Sequence, residues 1–114
     1  KGWKAMKISV LGTEYTIEYR NKIQDVLLND CDGYCDKTSK CIVIGEKEND
    51  SELSDFDQYQ RKVLRHEIIH AFLFESGLHE SWTHEQGHDE SYVDWIAVQY
   101  PKMKKVFAEA GCDD

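Results

Sequence analysis

Long apolar runs and positive charge are both scarce in this chain. No segment approaches the roughly 20 apolar residues that a membrane-spanning helix requires, so we expect no membrane partner. Lysine and arginine together number 14 against 22 acidic residues, which gives a net charge of −8. Because a nucleic-acid surface needs many cations to neutralise phosphates, this balance excludes nucleic acid as the main partner.

Internal repeats, low-complexity tracts and interdomain linkers are also lacking. The 114 residues therefore predict one domain over residues 1–114, large enough for a modest core without disulfides. No basic N-terminal region followed by an apolar stretch marks a secretory signal. We accordingly expect a cytoplasmic protein, and the sequence leaves its oligomeric state open.

The four cysteines do not have the paired C-x-x-C spacing of a structural zinc site. They are Cys31, Cys35, Cys41 and Cys112. An intracellular protein keeps its thiols reduced, so free thiols are the main prediction. The alternatives are a Cys35–Cys41 disulfide across a hairpin and, less favoured, a second metal site.

Alternating apolar residues predict strands in the first half of the chain. Residues 6–10 and 15–19 alternate in this way around a turn at residues 11–13, which is typical of a hairpin. Residues 41–44 are rich in β-branched side chains and are followed by Gly45, which predicts a further short strand.

Apolar residues at helical spacing predict two helices in the second half. The first covers residues 56–72 and continues toward Gly77, with Ser54 as its N-cap and Gly77 as its stop. The second begins near Asp89, and Pro101 is expected to break it or open a further turn. Strands followed by helices predict an α+β fold, with a small, mostly antiparallel sheet packed on the first helix.

The most informative residues are His66-Glu67-Ile68-Ile69-His70, inside the first predicted helix. Positions i and i+4 share one face of a helix, so the two imidazoles can bind one metal ion with the glutamate beside them. The flanks are apolar, and buried histidines need polar partners. The pattern predicts His66 and His70 as zinc ligands and Glu67 as a general base.

A second match to this pattern, His84-Glu85-Gln86-Gly87-His88, is expected to lie in a loop. Gly87 would cost about 1 kcal/mol in a helix interior, and the flanks of the motif are polar. We therefore predict that it is not the metal-binding helix.

The third zinc ligand is predicted downstream, at Glu90. This residue begins the second predicted helix and shares a face with Asp94 at i+4. Asp94 can then bond to the other ring nitrogen of a ligand histidine. The rivals as third ligand are the histidines that precede this helix, His79, His84 and His88, since imidazole binds zinc equally well. The alternative interpretation of both carboxylates is a solvated acidic helix start.

The metal helix followed by Glu90-Ser91-Tyr92-Val93-Asp94 resembles the gluzincins, zinc peptidases whose third ligand is a glutamate on a following helix. The chain is most similar to the minimal zincin domains of phages and mobile elements, related to the ImmA/IrrE and SprT-like groups. The resemblance implies a zincin-like fold with an HExxH active-site helix. It also implies a zinc-dependent endopeptidase that hydrolyses protein or peptide substrates, and a substrate-binding edge strand at residues 41–44.

Two alternatives to proteolysis stay open at this point. The chain can be a zinc-binding regulatory or interaction module of a phage or mobile element, or its zinc can be purely structural. A peptidase also needs a hydrogen-bond donor for the developing oxyanion. The candidates are Tyr34, Tyr92, Tyr100 and the loop histidines, and the sequence does not choose among them.

Overall fold

Four strands precede two long helices. The computed structural model describes residues 5–49, 51–77 and 89–114. The elements are β1 (Ala5–Val10), β2 (Thr13–Arg20), a 3₁₀ turn (Val26–Asn29), β3 (Gly33–Asp36), β4 (Cys41–Gly45), α1 (Phe56–Ser76) and α2 (Glu90–Ala110). The predicted α+β class is confirmed. The second motif at residues 84–88 and the loop histidines His79, His84 and His88 lie outside the described residues.

The strands form one mixed sheet in the order β1-β2-β4-β3. The pairs β1–β2 and β3–β4 are antiparallel, whereas β2 and β4 are parallel. The predicted first hairpin is confirmed, and its turn consists of Leu11 and Gly12, with φ of 51° and 88°. Two positive φ values in a two-residue loop match the right-handed twist of the paired strands.

Strand β4 lies inside the sheet, so the prediction that residues 41–44 form the edge strand is wrong. It pairs with β2 on one side and with β3 on the other. Ile42, Val43 and Ile44 are all at most 1% exposed, and a continuous buried run is typical of an interior strand. The edge strand beside α1 is β3.

The ends of both helices are set by side-chain and glycine caps. Helix α1 begins after Asp55, which accepts a hydrogen bond from the Gln58 N–H at 3.1 Å, so the prediction of Ser54 as N-cap is wrong by one residue. Gly77, with φ 79°, ends α1 as predicted. Asp89 is the N-cap of α2, which agrees with the predicted start near this residue. Neither helix in the described part of the chain has an apolar stretch long enough to cross a membrane.

Helix α2 continues through Pro101 to Ala110, so the predicted break is wrong. Proline lacks the N–H that would bond to the carbonyl of Ala97, one turn earlier. The side chain of Arg65 on α1 takes that place, because its Nε–H donates to the Ala97 carbonyl at 2.6 Å. A donor from the neighbouring helix thus compensates for the proline.

The core lies between one face of the sheet and α1. Its buried members are Val10, Tyr15, Ile17, Ile42, Ile44, Val63 and Ala71. At the rim of this core the Tyr15 hydroxyl and the Lys40 ammonium both donate to Glu75 Oε2, each at 2.7 Å. Glu75 therefore connects the last turns of α1 to the sheet.

All four cysteines are free thiols, which agrees with the main prediction from the sequence. Cys35 lies opposite Ile42 in the β3–β4 ladder and Cys41 lies opposite Asp36. The two thiols of the alternative disulfide therefore do not face each other across the strands.

We expect the stabilising contribution of Glu75 to be lost in acid. The hydrogen bond from Lys40, followed by that from Tyr15, lowers the pKa of Glu75 from 4.5 to about 2. Its stabilising contribution is then complete above pH 4.5 and is lost as the pH falls toward 2. Between these pH values the melting temperature of the wild type should fall more steeply than that of Glu75→Gln. Glu14→Gln, in an exposed ion pair with Lys7, is the control, and equal slopes for all three proteins would contradict the assignment.

Candidate metal centre

Helix α1 brings the two predicted histidine ligands together. His66 and His70 stand one turn apart, and their Nε2 atoms are 3.2 Å from each other. His70 is only 8% exposed, and it lines the space between α1 and the sheet edge. The spacing of the motif therefore gives the convergence of imidazoles that the sequence predicts.

The first residue of α2 completes the group. Glu90 Oε1 lies 2.8 Å from His66 Nε2 and 3.2 Å from His70 Nε2. Within the described residues, this is the one group of three histidine, cysteine or acidic side chains whose ligand atoms all lie within 4.8 Å of one another. The structure thus places the three predicted metal ligands at one point.

Asp94 stands behind His66, on the side away from this point. Its Oδ1 is 3.1 Å from His66 Nδ1 and 3.0 Å from Lys62 Nζ. The contact with Asp94 favours the His66 tautomer that carries its proton on Nδ1. In this tautomer the Nδ1–H donates to Asp94, and the Nε2 lone pair faces Glu90. A carboxylate behind a histidine in this way orients the ring and raises its basicity.

The donor set fits a divalent metal ion. Two ring nitrogens and a carboxylate oxygen lie within 4.8 Å of one another. A neutral imidazole whose proton is on Nδ1 offers the lone pair of Nε2, and a cation shared by two such nitrogens and the carboxylate would satisfy all three. Two imidazoles and one carboxylate form a common three-residue ligand set of catalytic zinc.

Glu67 lies beside the two histidines and is buried. It is 8% exposed, and burial raises the pKa of its carboxyl group from 4.5 to about 7, although the nearby His66 opposes the rise. A carboxyl group with a pKa near neutrality both accepts and returns a proton readily. Its environment therefore suits the general base that the sequence predicts.

The other groups of the site favour the forms that bind a metal. Burial lowers the pKa of His70, so that its imidazole is neutral at neutral pH. Burial alone would raise the pKa of Glu90, but the facing His70 and His66 lower it below its usual value. Neutral imidazole and ionised carboxylate are the states that coordinate metal ions.

A cleft of about 560 Å³ extends along the group between α1, α2 and the edge strand β3. The strand approaches α1 closely at Gly33, where an added Cβ would lie 2.9 Å from the Val43 carbonyl oxygen and 3.0 Å from Val63 Cγ1. A glycine at this position therefore lets β3 form one wall of the cleft.

Comparison with known proteins gives no match, whether to a family model, to a curated protein or to a solved structure. The zincin-like fold implied by the sequence thus stays a prediction.

Of the tyrosines proposed as oxyanion donors, only Tyr34 lines the cleft. Its hydroxyl donates to the Asp25 carboxylate. Tyr92 is 71% exposed and Tyr100 is 45% exposed, and neither is among the residues that line the cleft.

Two donors in the cleft are absent from the sequence-based prediction. Lys62 lies one turn before His66 on α1 and contacts Asp94, and Tyr59 lies two turns before it and donates to Asp32. Both share the face of His66 by helical spacing. That spacing could have indicated both residues as candidates for the cleft. A shared helix face does not by itself distinguish residues that line a cleft from residues that pack in the core.

Proposed function

We propose that this protein is a zinc-dependent endopeptidase that hydrolyses peptide bonds in protein or peptide substrates. The observation that carries the proposal is the convergence of His66, His70 and Glu90 in a cleft where the buried Glu67 stands beside them. The resemblance of these motifs to gluzincins agrees with it. His66, His70 and Glu90 would hold the zinc ion, and Asp94 would orient His66.

Zinc, when bound, supplies a Lewis acid that lowers the pKa of water to about 7 and polarises a carbonyl group. In this mechanism Glu67 takes a proton from the attacking water on its carboxylate and later returns it to the leaving amine. Burial helps this second step, since the raised pKa of Glu67 makes its neutral form accessible at neutral pH. Asp94 would accept the Nδ1–H of His66 and so hold the orientation of that ring.

Strand β3 supports a peptide as the substrate. The Gly45 N–H donates to the Asp32 carbonyl at 2.8 Å, which extends the β3–β4 ladder by one residue beyond the Gly33–Ile44 pair and marks a hydrogen-bonded position. Because hydrogen-bonded positions alternate along antiparallel strands, the backbone N–H and C=O groups of Gly33 and Cys35 point away from β4. In the described part of the chain no strand pairs with that edge. An extended peptide can add there as a further strand, alongside the histidines.

The proposal is tested with the wild-type protein. We expect one zinc ion per chain by metal analysis, and cleavage of an unstructured peptide library that stops on chelation and returns when zinc is added. A protein that binds no stoichiometric zinc would contradict the proposal. Full zinc occupancy without hydrolysis of any peptide or folded protein would instead favour the non-proteolytic binding module.

A further inference from the structure

Helix α2 has a small apolar contact with the rest of the protein, although it supplies Glu90 and Asp94 to the candidate metal centre. Only two of its residues, Val93 and Ala97, are buried. A surface this small fixes the position of one helix along another only weakly. The position of α2 along α1 therefore depends largely on directional polar contacts between the two helices.

One of these contacts is made at the carbonyl that Pro101 leaves without its helical partner. The Ala97 carbonyl has no N–H of residue 101 to accept, and Ala97 is 0% exposed, so water does not reach it. Arg65 Nε donates to this oxygen at 2.6 Å. The hydrogen bond that α2 cannot make internally thus comes from α1.

Both ends of this bond lie next to metal-centre residues in the sequence. Arg65 directly precedes His66, and Ala97 follows Asp94 by three residues and Glu90 by two turns. A shift of α2 by one residue moves it about 1.5 Å along its axis. Such a shift would remove Ala97 from Arg65 and Glu90 from its 2.8 Å contact with His66.

We propose that Arg65 is a positioning residue for the metal centre. By bonding to the carbonyl that Pro101 frees, it holds α2 in the register that sets Glu90 against His66 and His70. The role of metal in this inference rests on the proposed function, whereas the bond itself and the position of Glu90 do not.

A double-mutant cycle tests this role. Arg65→Met keeps an apolar stem but removes the donor, and Pro101→Ala returns an N–H to the Ala97 carbonyl. We expect Arg65→Met alone to weaken zinc binding about tenfold, measured by chelator competition, and to raise the unfolding constant of the metal-free protein about tenfold. In the Pro101→Ala background the same change should alter both quantities less than about threefold. Arg61→Met, an exposed arginine one turn earlier on α1, is the matched control and should change neither.

The position of Glu90 is read without metal from the imidazole NMR signals of His66 and His70. In metal-free Arg65→Met these signals should move toward those of Glu90→Ala, and Pro101→Ala should reverse the movement. Equal effects of Arg65→Met in both backgrounds would overturn the action through the carbonyl. If the effects of Arg65→Met and Pro101→Ala on the unfolding constant are coupled but the histidine signals do not move, the positioning role would be overturned. If the wild type binds no zinc, the proposed function fails. The unfolding constants of the metal-free variants and the histidine signals then still test whether Arg65 positions Glu90.

Discussion

Replacing His70 with alanine is expected to lower zinc affinity at least about a hundredfold and to stop zinc-dependent hydrolysis. Loss of a hydrogen-bond partner behind a metal ligand already costs about 10–100-fold, and loss of the ligand itself should cost more. His70 Nε2 is 3.2 Å from both His66 Nε2 and Glu90 Oε1. Its removal therefore leaves two of the three converging ligand atoms. Zinc affinity by chelator competition is the measurement.

The same measurement distinguishes the candidates for the third ligand. Glu90→Ala should weaken zinc binding as His70→Ala does, since Oε1 of Glu90 contacts both histidines. His79→Ala, His84→Ala and His88→Ala are the matched controls, because they remove imidazoles that the proposal does not assign to the metal. Full zinc affinity in Glu90→Ala, together with its loss in one of these histidine variants, would transfer the third ligand to that histidine. Wild-type affinity in His70→Ala would contradict the metal centre itself.

The parts of the site that depend on local spacing could be predicted from the sequence. The distance between His66 and His70 on α1 follows from helical periodicity alone. The pairing of Glu90 and Asp94 follows from the same rule, once Asp89 is recognised as the cap that starts α2. What the sequence could not provide is the approach of α2 to α1, which depends on contacts between residues far apart in the chain.

The errors in the fold have the same origin. The β-branched run of β4 indicates burial, but the order of strands in a sheet depends on long-range pairing, which places β4 between β2 and β3. Pro101 was expected to break α2 because it removes an internal hydrogen bond. The donor that replaces this bond, Arg65, lies 36 positions earlier in the sequence, and no local pattern indicates it.

Glu67→Gln is expected to keep zinc and to lower kcat for peptide hydrolysis by about 10²–10⁴-fold, the usual contribution of a general acid–base group. Glutamine has nearly the same shape but cannot accept a proton from water. The ligands His66, His70 and Glu90 are unchanged in this variant, so zinc affinity should stay close to that of the wild type. The measurements are kcat on a peptide substrate and zinc content on the same preparation.

The control for Glu67→Gln is Asp57→Asn, which removes an exposed carboxylate from the first turn of the same helix. It should leave kcat unchanged. A second expected outcome is specific to Glu67. Metal-free Glu67→Gln should be at least as stable as the wild type at neutral pH, because burial disfavours the charged form of Glu67. Wild-type kcat in Glu67→Gln would remove this residue from the role of base. Loss of zinc or of stability in that variant would make Glu67 a structural support of the histidines, because a base that acts only on water and substrate contributes to neither.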